Sequence, residues 1–128
     1  MNEQLLEWHH FVKTQNVAIL DELLADEVRF HSPFVWKSKE GKLITMAVLT
    51  TVATVFEDFR YIREILDENN WALEFEAKVG NLNLRGIDLI QLNESGKIID
   101  FEVMIRPANA LQAVGLEMTK KLAEQGLI

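Results

Sequence analysis

Residues 81–107, NLNLRGIDLIQLNESGKIIDFEVMIRP, contain two runs of alternating apolar residues joined by the turn sequence Asn93-Glu94-Ser95-Gly96. Glycine supplies the positive φ that a hairpin turn needs, so this stretch predicts a β-hairpin. Side chains in a strand alternate between its two faces. The face predicted to be apolar holds Leu82, Leu84, Asp88, Ile90 and Leu92 in the first run, and Ile99, Phe101, Val103 and Ile105 in the second. Asp88 is the one carboxylate on that face.

The composition restricts the class of protein. A chain of 128 residues that is 48% hydrophobic predicts a single domain, 1–128, with its own core. Without cysteine there is no disulfide and no thiolate chemistry. The net charge of -7 and the scattered basic residues argue against a nucleic-acid partner. The chain has no apolar run of about 20 residues and begins with the acidic sequence MNEQLLEW, so we expect a cytoplasmic protein without a membrane partner.

The remaining elements follow from hydrophobic periodicity. Helices are predicted at 2–14, 17–25, 42–57 and after Pro107, and further strands at 27–32, 60–67 and 71–79. The segment 34–41 lacks periodicity and carries two aromatic residues, which is typical of a loop over a cavity or a partner. The order is helix, helix, strand, helix, four-strand meander, helix. It predicts an α+β fold with helices packed on one side of a curved, mostly antiparallel sheet.

Three stretches resemble the SnoaL-like branch of the nuclear transport factor 2-like superfamily. They are LDELLADEVRFHSP after the first helix, FEDFRYIREI at the start of the meander, and GIDLIQLNESGKIIDFEVMIRP before the last helix. The resemblance covers nearly the whole chain and implies a cone-shaped, strongly bent sheet wrapped by helices around a cavity. It does not imply one reaction, because the superfamily contains cyclases, ketosteroid isomerases, dehydratases, epoxide hydrolases and non-catalytic binding domains.

The family's functional positions match this sequence only in part. SnoaL-like cyclases commonly have Glu-His-Trp-Asp after the Gly-Lys turn, with the Asp as acid/base; the matching residues here are 100–103, Asp-Phe-Glu-Val. Ketosteroid isomerases place a hydrogen-bonding tyrosine on an early helix, where the nearest candidate here is His9. The strings FHSP, FEDFRY and V-M-x-R-P resemble a bacterial subgroup that, as a family, has no established reaction. Phe101 and Val103 stand where the cyclases have the histidine and the acid/base aspartate, which counts against cyclase chemistry by the usual residues.

Asp88 admits three interpretations, because an ionised and unpaired carboxylate on an apolar face is costly. It is a structural group bonded to His31, His9, Tyr61 or backbone donors. Alternatively, desolvation raises its pKa and it acts as acid or base on a bound carbonyl or enol. The third interpretation is a register shifted by one residue, which turns Asp88 to solvent. The candidate catalytic residues are Asp88 and His31, since His31 is the favoured carboxylate partner and lies where the cone should open.

Aromatic residues outnumber what a small cone needs for sealing, although most of them are expected to be core. The candidate ligand-binding residues are Trp8, His9, Phe30, Trp36, Phe56, Tyr61, Phe75 and Phe101. An apolar lining with one or two polar groups selects a mostly hydrophobic small molecule. The three histidines lack the spacing of a metal site, so we predict neither a metal nor another cofactor.

Three functions stay open, two of them non-catalytic and one enzymatic. The favoured one is a small-molecule-binding domain with Asp88 in its cavity. The alternatives are an isomerase, cyclase or hydrolase with Asp88 as general acid/base, and a non-catalytic dimeric scaffold. On the outer sheet face Ile87, Leu89 and Met104 lie among charged residues, which favours a homodimer through that face. The alternative is a solvated face with scattered apolar residues.

Overall fold

The computed structural model describes residues 2–128, which form four helices and six strands. The elements are α1 Glu3–Thr14, α2 Val17–Leu23, β1 Leu24–His31, β2 Lys39–Glu40, α3 Lys42–Val55, β3 Glu57–Asp67, β4 Asn70–Val79, β5 Leu82–Leu92, β6 Ile98–Arg106 and α4 Ala108–Glu124. Side chains of Asn2 and Asn16 cap α1 and α2 by accepting backbone N–H bonds. The predicted α+β class and element order are confirmed, and the short β2 is added within the predicted loop.

The strands form one curved, unclosed sheet in the order β2-β1-β6-β5-β4-β3. The predicted antiparallel meander of β3 to β6 is confirmed. Strand β1 lies parallel to β6 on the other side of that strand, and β2 pairs with β1 at the sheet edge. The hairpin of β5 and β6 therefore occupies the centre of the sheet, where its inner face is covered by helices.

A register shift in β6 corrects one sequence prediction. Gln91 pairs with Asp100, whereas Leu92 pairs with Ile98, so β6 carries an extra residue at Ile99. Such a bulge changes the alternation of side chains on its strand. As a result Ile98 is fully buried and Ile99 only partly, which moves the apolar position predicted for Ile99 to Ile98.

The core lies between the inner face of the sheet and the helices. The ring of Trp8 on α1 packs 5.3 Å from the ring of Phe101 on β6. Helix α4 buries Val114, Met118 and Leu122, as its periodicity predicts. None of the helices within residues 2–128 has the length and apolarity needed to cross a membrane.

Asp88 is an ionisable residue in this otherwise apolar core. Among the described residues, the other buried polar side chains are two threonines of α3, Thr45 and Thr51. A threonine hydroxyl can bond to the carbonyl one turn back, as Thr45 does with Gly41 at 2.8 Å. A buried carboxylate has no such local solution and needs partners from other elements.

Candidate functional site

Strand pairing places Asp88 on the inner face of the sheet. It lies opposite Leu73 on β4 and Val103 on β6, and its residue is 6% exposed. Gly86 and Ile90, two residues before and after it, are buried on the same face. The interpretation in which Asp88 faces solvent is therefore wrong.

A chain of two hydrogen bonds joins Asp88 to β3 and α1. The Tyr61 hydroxyl donates to Asp88 Oδ2 at 2.6 Å, and Trp8 Nε1–H donates to the Tyr61 oxygen at 2.9 Å. A phenol has a single O–H proton, so the hydrogen bond to Asp88 uses the one donor that Tyr61 has. Within residues 2–128 the structure gives Asp88 no second hydrogen-bond partner, and its other oxygen, Oδ1, is left available.

Burial controls the ionisation of both groups. Desolvation raises the pKa of Asp88 from 3.8 to about 7, and the hydrogen bond from Tyr61 opposes part of that rise. Desolvation and the negative charge of Asp88 raise the pKa of Tyr61 well above its ordinary value. At neutral pH the carboxyl group of Asp88 therefore populates both protonation states, as a general acid or base requires.

Asp88 and Tyr61 line a cavity of about 430 Å³ on the inner side of the sheet. The size falls in the range of small-molecule sites. Most of its lining is aliphatic or aromatic: Trp8, Phe11, Val12, Phe30, Val48, Leu49, Val52, Phe56, Phe59, Phe101, Val103, Ile105, Val114, Met118 and Leu122 all contribute. Further polar contributions come from Gln15, Ser32, Lys39, Gln112 and Thr119.

We assign the mouth of the cavity to the region between the segment 32–39 and α4, because the lining residues there include exposed ones, Val35 and Leu116. The ring of Phe34 lies against Gly115 of α4: a Cβ built on Gly115 would be 3.1 Å from Phe34 Cε1. The absence of a side chain at residue 115 thus lets Phe34 approach the helix.

The sequence-selected aromatic residues divide into two groups. Trp8, Phe30, Phe56, Tyr61 and Phe101 line the cavity. The others lie elsewhere. Phe75 is fully buried in the core, with its ring centroid 4.9 Å from that of Phe59, and Trp36 is fully exposed on the loop after β1.

Both histidines chosen as candidates have partners other than Asp88. His9 Nε2 lies 2.5 Å from Glu64 Oε2 at the surface, although its ring packs edge-on against Tyr61 at 5.4 Å. His31 Nε2 lies 2.8 Å from Asp100 Oδ1 on the outer face of the sheet. The prediction that His31 pairs with Asp88 is wrong, because the parallel pairing of β1 with β6 puts the two on opposite faces.

Sequence reasoning missed several lining residues. Phe11 and the residues of α4 were predicted as parts of helices, not as a cavity wall. Ser32 and Lys39 flank the aromatic loop that was expected to cover a cavity, and this was the signal that could have selected them. Within residues 2–128, no group of three His, Cys, Asp or Glu side chains could hold a metal ion.

Two proteins of known structure are similar to this chain over most of its length. A steroid delta-isomerase from Pseudomonas aeruginosa is 41% identical, with 98% of this chain and 93% of that chain covered and a TM-score of 0.92. An uncharacterised protein with a cystatin-like fold from Silicibacter pomeroyi is 38% identical, with 96% and 87% covered and a TM-score of 0.91. No protein-family model and no curated protein matches the sequence.

The fold extends to more distant structures. A nuclear transport factor 2-like protein of unknown function from Mesorhizobium loti is 14% identical, with 82% of this chain and 89% of that chain covered and a TM-score of 0.72. A curved sheet that packs helices over an inner cavity defines a cystatin-like α+β protein. The chain belongs to the SnoaL-like branch of the nuclear transport factor 2-like superfamily, which confirms the resemblance noted in its sequence.

Proposed function

We propose that this domain binds an apolar carbonyl compound in its cavity and moves a double bond in that compound by proton transfer through Asp88. One observation carries the proposal: Asp88 has a pKa of about 7 and an available oxygen in an apolar cavity. The 41% identity to a protein described as a steroid delta-isomerase supports the same class of reaction. An activity as an isomerase is thus favoured over the cyclase and hydrolase alternatives.

The reaction needs one group that takes a proton and returns it. Asp88 Oδ1, ionised, takes the proton from the carbon between the carbonyl group and the double bond, and the electron pair shifts into the carbonyl to give a dienolate. The protonated Asp88 then returns the proton to the far carbon, so the double bond becomes conjugated and Asp88 is ionised again. Tyr61 holds Oδ2 throughout and so fixes which oxygen reacts.

The oxygen of the dienolate needs its own donor, because oxyanion stabilisation is a large part of such catalysis. The O–H of Tyr61 donates its hydrogen bond to Asp88, so it donates none to the ligand oxygen. The other polar side chains of the lining include Ser32, Lys39 and Gln112. This favours an orientation in which the ligand oxygen points away from Tyr61.

The engaged proton of Tyr61 also favours a second candidate, a domain that binds the apolar compound without turnover. In that case the protonated form of Asp88 donates a hydrogen bond to the ligand carbonyl. A purely structural scaffold is less well supported, because side chains would be expected to fill its interior, whereas this interior retains about 430 Å³.

The test is to incubate the protein with a steroid that has a 3-oxo group and a 5,6 double bond, and with smaller β,γ-unsaturated ketones. Formation of the conjugated ketone is followed by ultraviolet absorbance, and binding of the conjugated product is measured by calorimetry. We expect turnover that Asp88→Asn lowers by about 10²–10⁴-fold, with binding of the product retained.

The matched control is Asp100→Asn, which removes a carboxylate from the outer face. It is expected to leave turnover unchanged. Binding without turnover in the wild type would replace the isomerase by the second candidate. If neither turnover nor binding is found with any of these compounds, the proposed ligand class is wrong.

A further inference from the structure

Lys39 is the basic residue that residues 2–128 contribute to the lining of the cavity. On β2 it pairs with Phe30 of β1 in antiparallel register, and residues that pair directly lie on the same face of a sheet. Phe30 is buried on the inner face and lines the cavity. The side chain of Lys39 therefore leaves β2 on the cavity side, at the edge of the sheet.

Lys39 differs from the other half-buried lysines of the described chain, because its amine has no acceptor there. The other three, Lys42, Lys97 and Lys121, each donate to an oxygen of a segment distant in sequence, at 2.7–3.1 Å. Among the described residues no carboxylate forms an ion pair with Lys39, although the nearby Lys42 contacts two. A partly desolvated amine without an acceptor costs free energy, so an anion from outside the chain would stabilise it.

The strand order separates Lys39 from Asp88. Their strands are the first and last of the series β2-β1-β6-β5, and neighbouring strands lie about 4.8 Å apart, which gives about 14 Å along the sheet. A cation close to Asp88 would lower the pKa of its carboxyl group, whereas that pKa is raised to about 7. The cavity therefore has an acid in its interior and a cation near its entrance, with an apolar lining between them.

The position of Lys39 suits an anionic group on an otherwise apolar ligand. The segment 32–39 borders the entrance, so a carboxylate bound there keeps part of its hydration and avoids the cost of full burial. The net charge of -7 disfavours the approach of an anion to the protein as a whole. A cation on the cavity side therefore gives the entrance a local preference for an anion, against the charge of the chain.

We propose that Lys39 binds a carboxylate of the ligand, so that the ligand is an apolar carbonyl compound with an acidic group on the order of 10 Å from its carbonyl. The acidic group lies at the entrance, and the carbonyl end reaches Asp88. The carbonyl end of this ligand rests on the function proposed above, whereas the acidic end rests on Lys39. At that separation the amine does not reach the carbonyl oxygen, which is left to other polar side chains of the lining such as Ser32 and Gln112.

The experiment measures the affinity of two matched pairs of compounds, each an anion and an uncharged partner of similar shape. The first pair is a conjugated 3-oxo steroid with a carboxylate on its five-membered ring and the methyl ester of that acid, with binding measured by calorimetry. Both are products of the proposed reaction, so turnover does not interfere. The second pair has no carbonyl group: anilinonaphthalene sulfonate and the uncharged phenylnaphthylamine, with binding followed by fluorescence.

The variant is Lys39→Met, which removes the charge and keeps an unbranched side chain. We expect it to weaken binding of the two anions on the order of tenfold at low salt, and binding of the uncharged partners by less than about twofold. Lys39→Arg keeps the cation, so its affinity for the anions should stay within a few-fold of the wild type. Added salt should weaken binding of the anions to the wild type more than to Lys39→Met.

The matched control is Lys37→Met, the same change at an exposed lysine outside the cavity lining; it should leave all four affinities unchanged. Circular dichroism confirms that each variant is folded. Equal weakening of anions and uncharged partners by Lys39→Met, no weakening of the anions, or the same weakening by Lys37→Met would each overturn the inference.

The two pairs separate this inference from the proposed function. If the dyes show the expected dependence on Lys39 and neither steroid binds, the carbonyl ligand is rejected and Lys39 stays as an anion site. If the steroids bind but the acid does not depend on Lys39, the inference fails and the proposed ligand class stands. Absence of binding by all four compounds would overturn both.

Discussion

Asp88 and Asp100 lie on neighbouring strands of one hairpin and have opposite surroundings. Asp88 faces the core, accepts a hydrogen bond from Tyr61, and has its pKa raised by burial. Asp100 faces outward, where His31 Nε2 and Arg29 Nε lie 2.8 and 3.5 Å from its Oδ1. The comparison shows that strand alternation places one carboxylate in the buried interior and the other in a charge network on the outer face.

The largest expected effect separates the two aspartates by the pH dependence of stability. Between about pH 4 and 7 the folded protein keeps a proton on Asp88 that the unfolded chain has released, so wild-type stability falls as the pH rises through this window. Asp88→Asn does not titrate. We expect the free energy of unfolding of Asp88→Asn, relative to that of the wild type, to increase across this pH window by at most about 4 kcal/mol and then to stay constant.

The measurement is urea unfolding at a series of pH values, with Asp100→Asn as the matched control. Asp100→Asn should lack this gain, because it removes contacts with His31 and Arg29. A difference between Asp88→Asn and the wild type that does not change with pH would show that the carboxylate is ionised at little cost.

A smaller effect tests how tightly the inner face around Asp88 is packed. A Cβ on Gly86 would lie 2.4 Å from Phe75 Cζ and 2.7 Å from the backbone oxygen of Met104. Because Phe75 is fully buried, we expect Gly86→Ala to lower the free energy of unfolding by about 1–3 kcal/mol. Thermal or urea unfolding measures the loss.

Gly115→Ala is the matched control for that change. Its Cβ meets only the ring of Phe34, which is partly exposed and can move, and alanine favours a helix. We expect stability to be unchanged or to rise by up to about 1 kcal/mol. Equal losses in both alanine variants would show that the inner face is no more tightly packed than the mouth.

The hydrogen-bond chain gives the next effect. Tyr61→Phe removes the one protein donor that the structure gives Asp88 within residues 2–128, and it leaves Trp8 Nε1 without its acceptor. We expect the pKa of Asp88 to rise above about 7, with a loss of stability of about 1–3 kcal/mol. Carbon NMR of the Asp88 carboxyl group measures the pKa.

Trp8→Phe is an intermediate change, because it removes the hydrogen bond from Trp8 to Tyr61 and keeps the one from Tyr61 to Asp88. The pKa of Asp88 in this variant should lie between its values in the wild type and in Tyr61→Phe. A pKa that is the same in all three proteins would contradict the assignment of Tyr61 as the group that holds Oδ2.

The smallest effect is expected on the outer face. His31→Gln removes the imidazole from Asp100 in a half-exposed site where Arg29 still contacts the same carboxylate. The free energy of unfolding should change by less than about 1 kcal/mol, and the turnover proposed for the cavity should not change. A large loss of turnover would return His31 to the functional site.

The sequence pattern of a single strand was enough to predict the position of Asp88 in the site. The alternation of β5 placed Asp88 on the apolar face, and the turn at residues 93–96 defined its hairpin. The partner of Asp88 depends on which elements meet across the core. Sequence reasoning favoured His31 as the partner and had Tyr61 as an alternative, and the strand order β1-β6-β5-β4-β3 reverses that preference.

Two other differences have the same origin. The bulge at Ile99 arises because Ile98 pairs with Leu92 on β5 while Asp100 pairs with Gln91, which leaves Ile99 without a partner in the register. The alternation of residues within β6 gives no sign of it. Trp36 was selected for its aromatic ring, yet its loop turns the indole to solvent, while the adjacent Phe34 packs on α4. Burial of an isolated aromatic residue in a loop is decided by tertiary contacts.

The contact between Phe34 and Gly115 has a consequence for the evolution of this domain. Phe34 can pack against α4 because Gly115 has a hydrogen atom where every other residue has a Cβ. Any substitution at residue 115 therefore pushes the Phe34 ring outward or sideways. A single mutation on α4 can therefore change the width of the entrance and leave the hydrogen bonds of Asp88 intact. Relatives with the same inner wall could in this way acquire different ranges of ligand size.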